Sequence, residues 1–172
     1  MKTKYPERII CLTEETTELL YLLGAEDKIV GISGFTMRPP HARKTKTKVC
    51  TYLDANYELI ESLKPDFILA FSDLQADITR ELVKRGFNVT TFNQRSVNEI
   101  LQTMLITGSL IGKVNEAKKL VSYYEKRINK IKRISSKLKI KPKVYFEEWG
   151  DPLISCIRWV SELIEIAGGE DI

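Results

Sequence analysis

The sequence predicts an α/β fold: a parallel-sheet, Rossmann-like first lobe, a long backbone helix and a partial second α/β lobe. Three observations carry this. Short apolar runs recur through residues 8–92, separated by helical patterns of roughly 10–15 residues, the spacing of right-handed βαβ crossovers. In the stretch 114–138, Val114, Ala117, Val121, Tyr124, Ile128, Ile131 and Leu138 form one helical stripe, and lysines and arginines cover most of the rest. At the α-helical rise that stretch is a rod of about 37 Å. A new strand then begins after Pro142, followed by one amphipathic helix. The lobes are expected at residues 1–112 and 141–172, joined by the helix at 113–140.

The elements follow in order. Residues 8–12 are a wholly apolar run after Arg8, as in a strand buried on both faces. Thr13 is expected to cap a helix ending at Leu23, with Glu14 and Glu15 complementing its dipole and Gly24 stopping it. Residues 29–33 are the second strand, and 34–53 are expected to be a long loop, a length that points to function. A short helix spans 56–63, and 67–71 is the clearest buried strand. Ser72 with Gln75, and Ser96 with Glu99, have capping-box spacing for helices ending at Arg85 and Ile111. Residues 88–92 make the fourth strand and 143–147 a fifth. Residues 148–155 are expected to be a loop, and 157–167 a helix stopped by Gly168 and Gly169.

Composition narrows the function classes. The chain has 172 residues, 43% hydrophobic and 29% charged, with a net charge of +4, as in ordinary globular proteins. No nucleic-acid motif accompanies the lysines, so a solvated face is the expectation and nucleic acid is not an expected partner. Three scattered cysteines make no disulfide framework or metal motif, and Cys11 and Cys156 are expected to be buried. Residues 1–8 lack an apolar core of a secretory signal, and no apolar run approaches the ~20 residues of a membrane span. The sequence as written thus reads as cytoplasmic, with no membrane insertion.

In open parallel sheets, ligands bind beyond the carboxyl ends of the strands. Those ends carry Glu14 and Glu15, then Phe35 and Arg38, then Ser72, Asp73 and Gln75, then Gln94 and Arg95, then Glu148 and Trp149. Helix capping accounts for Ser72 but not for Phe35, Gln94, Arg95 or Trp149. The lone His41 sits in a Pro-rich loop and is expected to be solvated. No imidazole cluster, phosphate loop or dinucleotide fingerprint is present, and no catalytic residue or metal ligand is assigned.

Several stretches resemble a known family. Arg8-Ile-Ile-Cys-Leu-Thr-Glu-Glu, Glu18-Leu-Leu-Tyr-Leu-Leu-Gly, Ile29-Val-Gly-Ile-Ser and Lys64-Pro-Asp-Phe-Ile-Leu resemble the first lobe of helical-backbone (class III) substrate-binding proteins. These serve ABC importers of cobalamin, haem and iron siderophores. Phe71-Ser-Asp-Leu-Gln-Ala-Asp-Ile, Phe92-Asn-Gln-Arg-Ser-Val and Phe146-Glu-Glu-Trp resemble a signal-less, cobalamin-binding branch. The resemblance implies a non-enzymatic binder of a corrinoid, haem or ferric chelate, with an ABC permease as partner. The cleft walls it implies are Glu14, Glu15, Phe35, Arg38, Ser72, Asp73, Gln75, Gln94, Arg95, Glu148 and Trp149. The second lobe is expected to be incomplete, and a homodimer through it is a further expectation. The alternative reading is a cytosolic metal- or cofactor-handling enzyme or chaperone using Glu14, Glu15, Glu147 and Glu148.

Overall fold

The computed structural model describes residues 4–172; Met1, Lys2 and Thr3, the start of the stretch read for a leader, lie outside the described residues. Two compact units emerge, one of Met1–Asn93 with Ile106–Ala117, the other of Gln94–Leu105 with Lys118–Ile172.

The first unit is built on a parallel sheet. Its elements are β1 (Ile9–Cys11), α1 (Glu14–Leu22), β2 (Ile29–Ser33), α2 (Ala42–Thr45), β3 (Thr47–Cys50), α3 (Tyr57–Ser62), β4 (Phe67–Phe71), α4 (Ala76–Lys84) and β5 (Val89–Phe92). Strand order is β3-β2-β1-β4-β5, every pair parallel. β1 is central and completely buried, which is why its residues are apolar on both sides of the pleat. Ile10, Leu12, Ile68 and Ala70 share one core cluster with Ile60, Ile78 and Leu82 of the crossover helices. Gly31 of β2 stays a glycine for room, since a Cβ there would lie 2.9 Å from Val49 Cγ1 and 3.1 Å from Ile10 Cγ1.

Three expectations fail in this unit, each for a physical reason. Residues 34–53 are not a structureless loop, since they contain α2 and the edge strand β3. Only Val49 and Cys50 of β3 are buried, so it lacks the apolar run that marks β1 and β4, and the sheet has five strands rather than four. Ser72 and Gln75 are not a capping box. Ser72 Oγ does accept from Leu74 N (3.2 Å), but a 3₁₀ turn at Asp73–Gln75 precedes α4. The buried Gln75 amide instead accepts from Phe71 N (3.1 Å) and donates to Leu12 O (3.1 Å) and Tyr52 O (3.4 Å), tying three strand ends together. Thr13 occupies the extended N-cap position of α1, yet its hydroxyl makes no cap bond and lies 3.1 Å from Thr16 Oγ1.

Two longer helices follow, α5 (Val97–Leu110) and α6 (Val114–Ser135), each with residues in both units. The capping box at the start of α5 forms as expected. Glu99 Oε2 accepts from Arg95 N (2.6 Å) and Ser96 N (2.9 Å), and Ser96 Oγ accepts from Glu99 N (3.2 Å).

The second unit holds β6 (Lys143–Val144), β7 (Glu147–Gly150), β8 (Leu153–Ser155), α7 (Arg158–Ala167) and β9 (Glu170–Asp171). The strand expected at 143–147 is cut to β6, and the loop expected at 148–155 is an antiparallel β7–β8 hairpin. All seven hairpin residues are exposed, so no burial periodicity announces them. The chain then closes a small parallel pair, β6 with β9, which the sequence did not signal. Gly168 ends α7 at φ +93°, a conformation open to glycine. A side chain there would also strike Leu138 and Ser135. Ser135 Oγ donates to Ile166 O (2.8 Å), pinning the end of α6 to α7 within this unit. Cys156, expected to be buried, is half-buried beside Ser161 Oγ (3.2 Å).

Replacing Gln75 by Leu removes these bonds, leaving the half-buried Phe71 N–H without this acceptor and the buried Leu12 carbonyl with the weak Cys50 thiol donor (3.4 Å), at an expected cost of roughly 1–3 kcal/mol. Urea unfolding monitored by circular dichroism reads this as a lower midpoint at unchanged slope.

Candidate functional site

In the first unit, the carboxyl ends of β1 to β4 bring together the residues expected there, with several that were not. Glu14 and Glu15 occupy the first turn of α1, half-buried, where the helix dipole favours negative charge. Glu14 Oε2 and Glu15 Oε1 are nevertheless buried without a hydrogen-bond partner. Burial pushes the Glu15 carboxyl above its usual range, and the neighbouring charge of Glu14 adds to this; its backbone N–H and the Thr13 hydroxyl oppose it. Burial thus outweighs the helix dipole here.

After β2, the Ser33 hydroxyl accepts from Phe35 N (3.2 Å) and Thr36 N donates to Ser33 O (3.1 Å), a tight turn that lifts Phe35 to the surface. Phe35 lies half-exposed against Tyr52, ring centroids 5.9 Å apart. Thr36 is fully buried with its Oγ1 unpartnered. Arg38 is exposed and paired, its Nε and Nη2 both 3.0 Å from Glu18 Oε2. Ser72, at φ +60°, is buried, and its N–H donates to Phe92 O (2.6 Å). Asp73 is exposed beside it, and Gln75 points its amide inward. His41 is exposed and stacks edge-on to Tyr21.

Tyr52, Thr36 and Glu18 were not among the candidate site residues read from the sequence. Tyr52 follows the strand that the sequence hid. Glu18 was findable, lying one helical turn after Glu14. No pattern singles out Thr36.

The second unit carries the remaining four. Gln94 is half-buried with Oε1 unpartnered, and Arg95 is exposed with its backbone in the α5 capping box. Glu148 is exposed on β7. Trp149 is 62% exposed, its Nε1 donating to Asp151 O (2.9 Å). Tyr145 OH donates to Glu147 Oε2 (3.3 Å), leaving Glu147 engaged.

Among the described residues, no group of three or more His, Cys, Asp or Glu side chains could hold a metal ion. The Cys11 and Cys50 thiols are pushed up to about 12 by burial, so both stay protonated and are poor nucleophiles.

The model of the periplasmic binding protein family matches residues 9–172. The chain belongs to the periplasmic binding protein family. Its relatives include an uncharacterized ABC transporter substrate-binding lipoprotein, YvrC, of Bacillus subtilis, 33% identical over 122 residues, 69% of this chain and 38% of that protein. The vitamin B12-binding protein of Vibrio cholerae is 27% identical over 172 residues, covering 96% of this chain and 60% of its own. The chain therefore spans less than two thirds of either curated relative. A crystal structure from Staphylococcus epidermidis, titled a "possible" iron-binding (periplasmic solute-binding) protein, superimposes with a TM-score of 0.85 at 26% identity, over 98% of this chain and 67% of that one. The parallel-sheet α/β architecture read from the sequence is that of this family. The cytoplasmic placement expected from the sequence finds no support in these relatives, and no helix among the described residues is long and apolar enough to cross a membrane.

Glu15 gives a pH signature. Its raised folded value means that the folded state holds its proton more tightly than the unfolded chain. Stability is then fullest below the usual value of 4.5 and falls as pH rises through the folded value. Glu15→Gln is expected to raise the melting temperature at neutral pH, with the gain shrinking toward pH 4.5. Thermal denaturation across that range checks it; a gain that grows on acidification contradicts the burial account.

Proposed function

We propose that the chain is the ligand-binding portion of an ABC-importer-type substrate-binding protein that holds a bulky cofactor or metal chelate, a corrinoid, haem or ferric siderophore, without converting it. One observation carries the reading. The strand-end face of the first unit combines an exposed aromatic pair, Phe35 and Tyr52, with carboxylate and hydroxyl oxygens left unpartnered. Buried polar groups are ordinarily satisfied, and a ligand that donates hydrogen bonds near Glu14 and Glu15 relieves that deficit. Aromatic side chains suit the apolar edge of a macrocycle, and a few polar groups set its orientation.

The proposed contact residues are Glu14, Glu15, Phe35, Arg38, Ser72, Asp73, Gln75, Gln94, Arg95, Glu148 and Trp149. Gln75 and Ser72 act in this scheme by shaping the face, given their inward bonds. The division into a first lobe at 1–112, a backbone helix at 113–140 and the start of a second lobe at 141–172 belongs to the same proposal. So does delivery to a permease. The relatives' names support both ligand binding and transport, whereas the metal-enzyme alternative lacks a ligand cluster among the described residues.

Absorbance titration with cyanocobalamin, haemin and a ferric chelate tests the proposal. One of the three is expected to shift its visible band and raise the melting temperature, and Phe35→Ala to weaken that binding by roughly tenfold. The absence of both band shift and thermal stabilisation with all three rejects it.

A further inference from the structure

The charge of the segment from Lys126 to Lys143 takes no part in the ligand binding proposed above. It reads Lys-Arg-Ile-Asn-Lys-Ile-Lys-Arg-Ile-Ser-Ser-Lys-Leu-Lys-Ile-Lys-Pro-Lys and carries nine of the chain's 27 cationic residues, with no aspartate or glutamate. The segment lies wholly within the second unit, running from the last turns of α6 to β6. All nine cations are exposed, and among the described residues none of them is held in an ion pair. The chain's net charge of only +4 means that this concentration is local: the rest of the molecule is net acidic.

A solvated lysine face accounts for the charge but not for what lies between the charges. Ile131 is 42% exposed, Ile134 60%, Leu138 50% and Ile140 82%. On α6, Tyr123, Arg127, Ile131 and Ile134 follow one another at helical spacing, beside a second stripe of Lys126, Lys130 and Arg133. Tyr123 is itself exposed, with the Arg127 guanidinium 5.4 Å from its ring centroid. Exposed aliphatic side chains do nothing for a phosphodiester backbone, and the exposed tyrosine of this face, Tyr123, already has the Arg127 guanidinium over the ring on which a base would stack. A second copy presenting the same face would bring nine like charges against nine. An anionic bilayer surface suits both features, since lysine and arginine heads reach the phosphates while aliphatic tips and a tyrosine enter the headgroup boundary.

We propose that the exposed basic face formed by the end of α6 and the segment up to Lys143 is a docking surface for anionic phospholipid membranes. It binds peripherally and spans nothing. It is independent of the ligand-binding reading and survives that reading's failure.

Co-sedimentation of the chain with phosphatidylcholine vesicles, with and without phosphatidylglycerol, tests it. Binding is expected only with phosphatidylglycerol, and it should fall steeply as salt shortens the screening length. A variant carrying Lys130→Gln, Arg133→Gln, Lys137→Gln and Lys139→Gln is expected to lose affinity by about fivefold per charge removed. Its circular dichroism spectrum and melting temperature establish that it folds. Ile134→Ser with Ile140→Ser should weaken binding while retaining the salt dependence. The proposal is overturned by no binding, by equal binding to pure phosphatidylcholine, or by binding that the four-site variant retains. Tighter binding to duplex DNA than to the phosphatidylglycerol vesicles overturns it too. So does a dimer, seen by light scattering, that the four-site variant abolishes.

Discussion

A parallel sheet has to be covered on both faces, and the first unit is organised by that requirement. Its central strand, Ile9–Cys11, is fully buried, so each neighbouring strand must be reached by a crossover whose helix supplies cover. Leu19, Leu20 and Leu23 of the α1 region, Ile60 of α3 and Ile78 and Leu82 of α4 are the buried residues that do so. Because every strand runs the same way, their carboxyl ends collect along one edge. The loops leaving that edge are free of covering duty, which is why the candidate site residues of the first unit can gather there.

That edge is held together by polar atoms, and not all of them are satisfied. Gln75 spends its amide on Phe71, Leu12 and Tyr52, and Ser72 is bonded to Phe92 through its backbone. These bonds hold the strand ends in place. Glu14 Oε2, Glu15 Oε1 and Thr36 Oγ1 remain without partners, against the usual rule that buried polar groups are bonded. Arg38 shows the opposite arrangement, its charge already neutralised by Glu18.

The second unit is stabilised differently. α7 has no buried residue, and the β7–β8 hairpin is exposed throughout. What order it shows rests on backbone and polar ties: Ser135 to Ile166, the Gly168 turn, and Glu170 N to Pro142 O at 2.9 Å. With little apolar burial, its surface displays both the cations of α6 and the side chains of Tyr145, Trp149 and Leu153.

The sequence by itself determined those elements whose burial leaves a periodic trace. β1, β2, β4 and β5, the helices α1, α3 and α4, α5 with its Ser96–Glu99 cap and the glycine stop of α7 were all legible, because apolar period and capping chemistry are local. Of the candidate site, the strand-end positions of Glu14, Glu15 and Phe35 were legible from the same pattern. Tertiary structure alone decided the rest. β3 forms because β2 offers an open edge, β9 because β6 does, and neither carries an apolar run of its own. Gln75 became a tie between strands instead of a cap because Leu12 and Tyr52, distant in sequence, converge on it. The unpartnered oxygens of Glu14, Glu15 and Thr36 are likewise products of packing, since satisfaction of a hydrogen bond depends on which distant groups arrive and which do not.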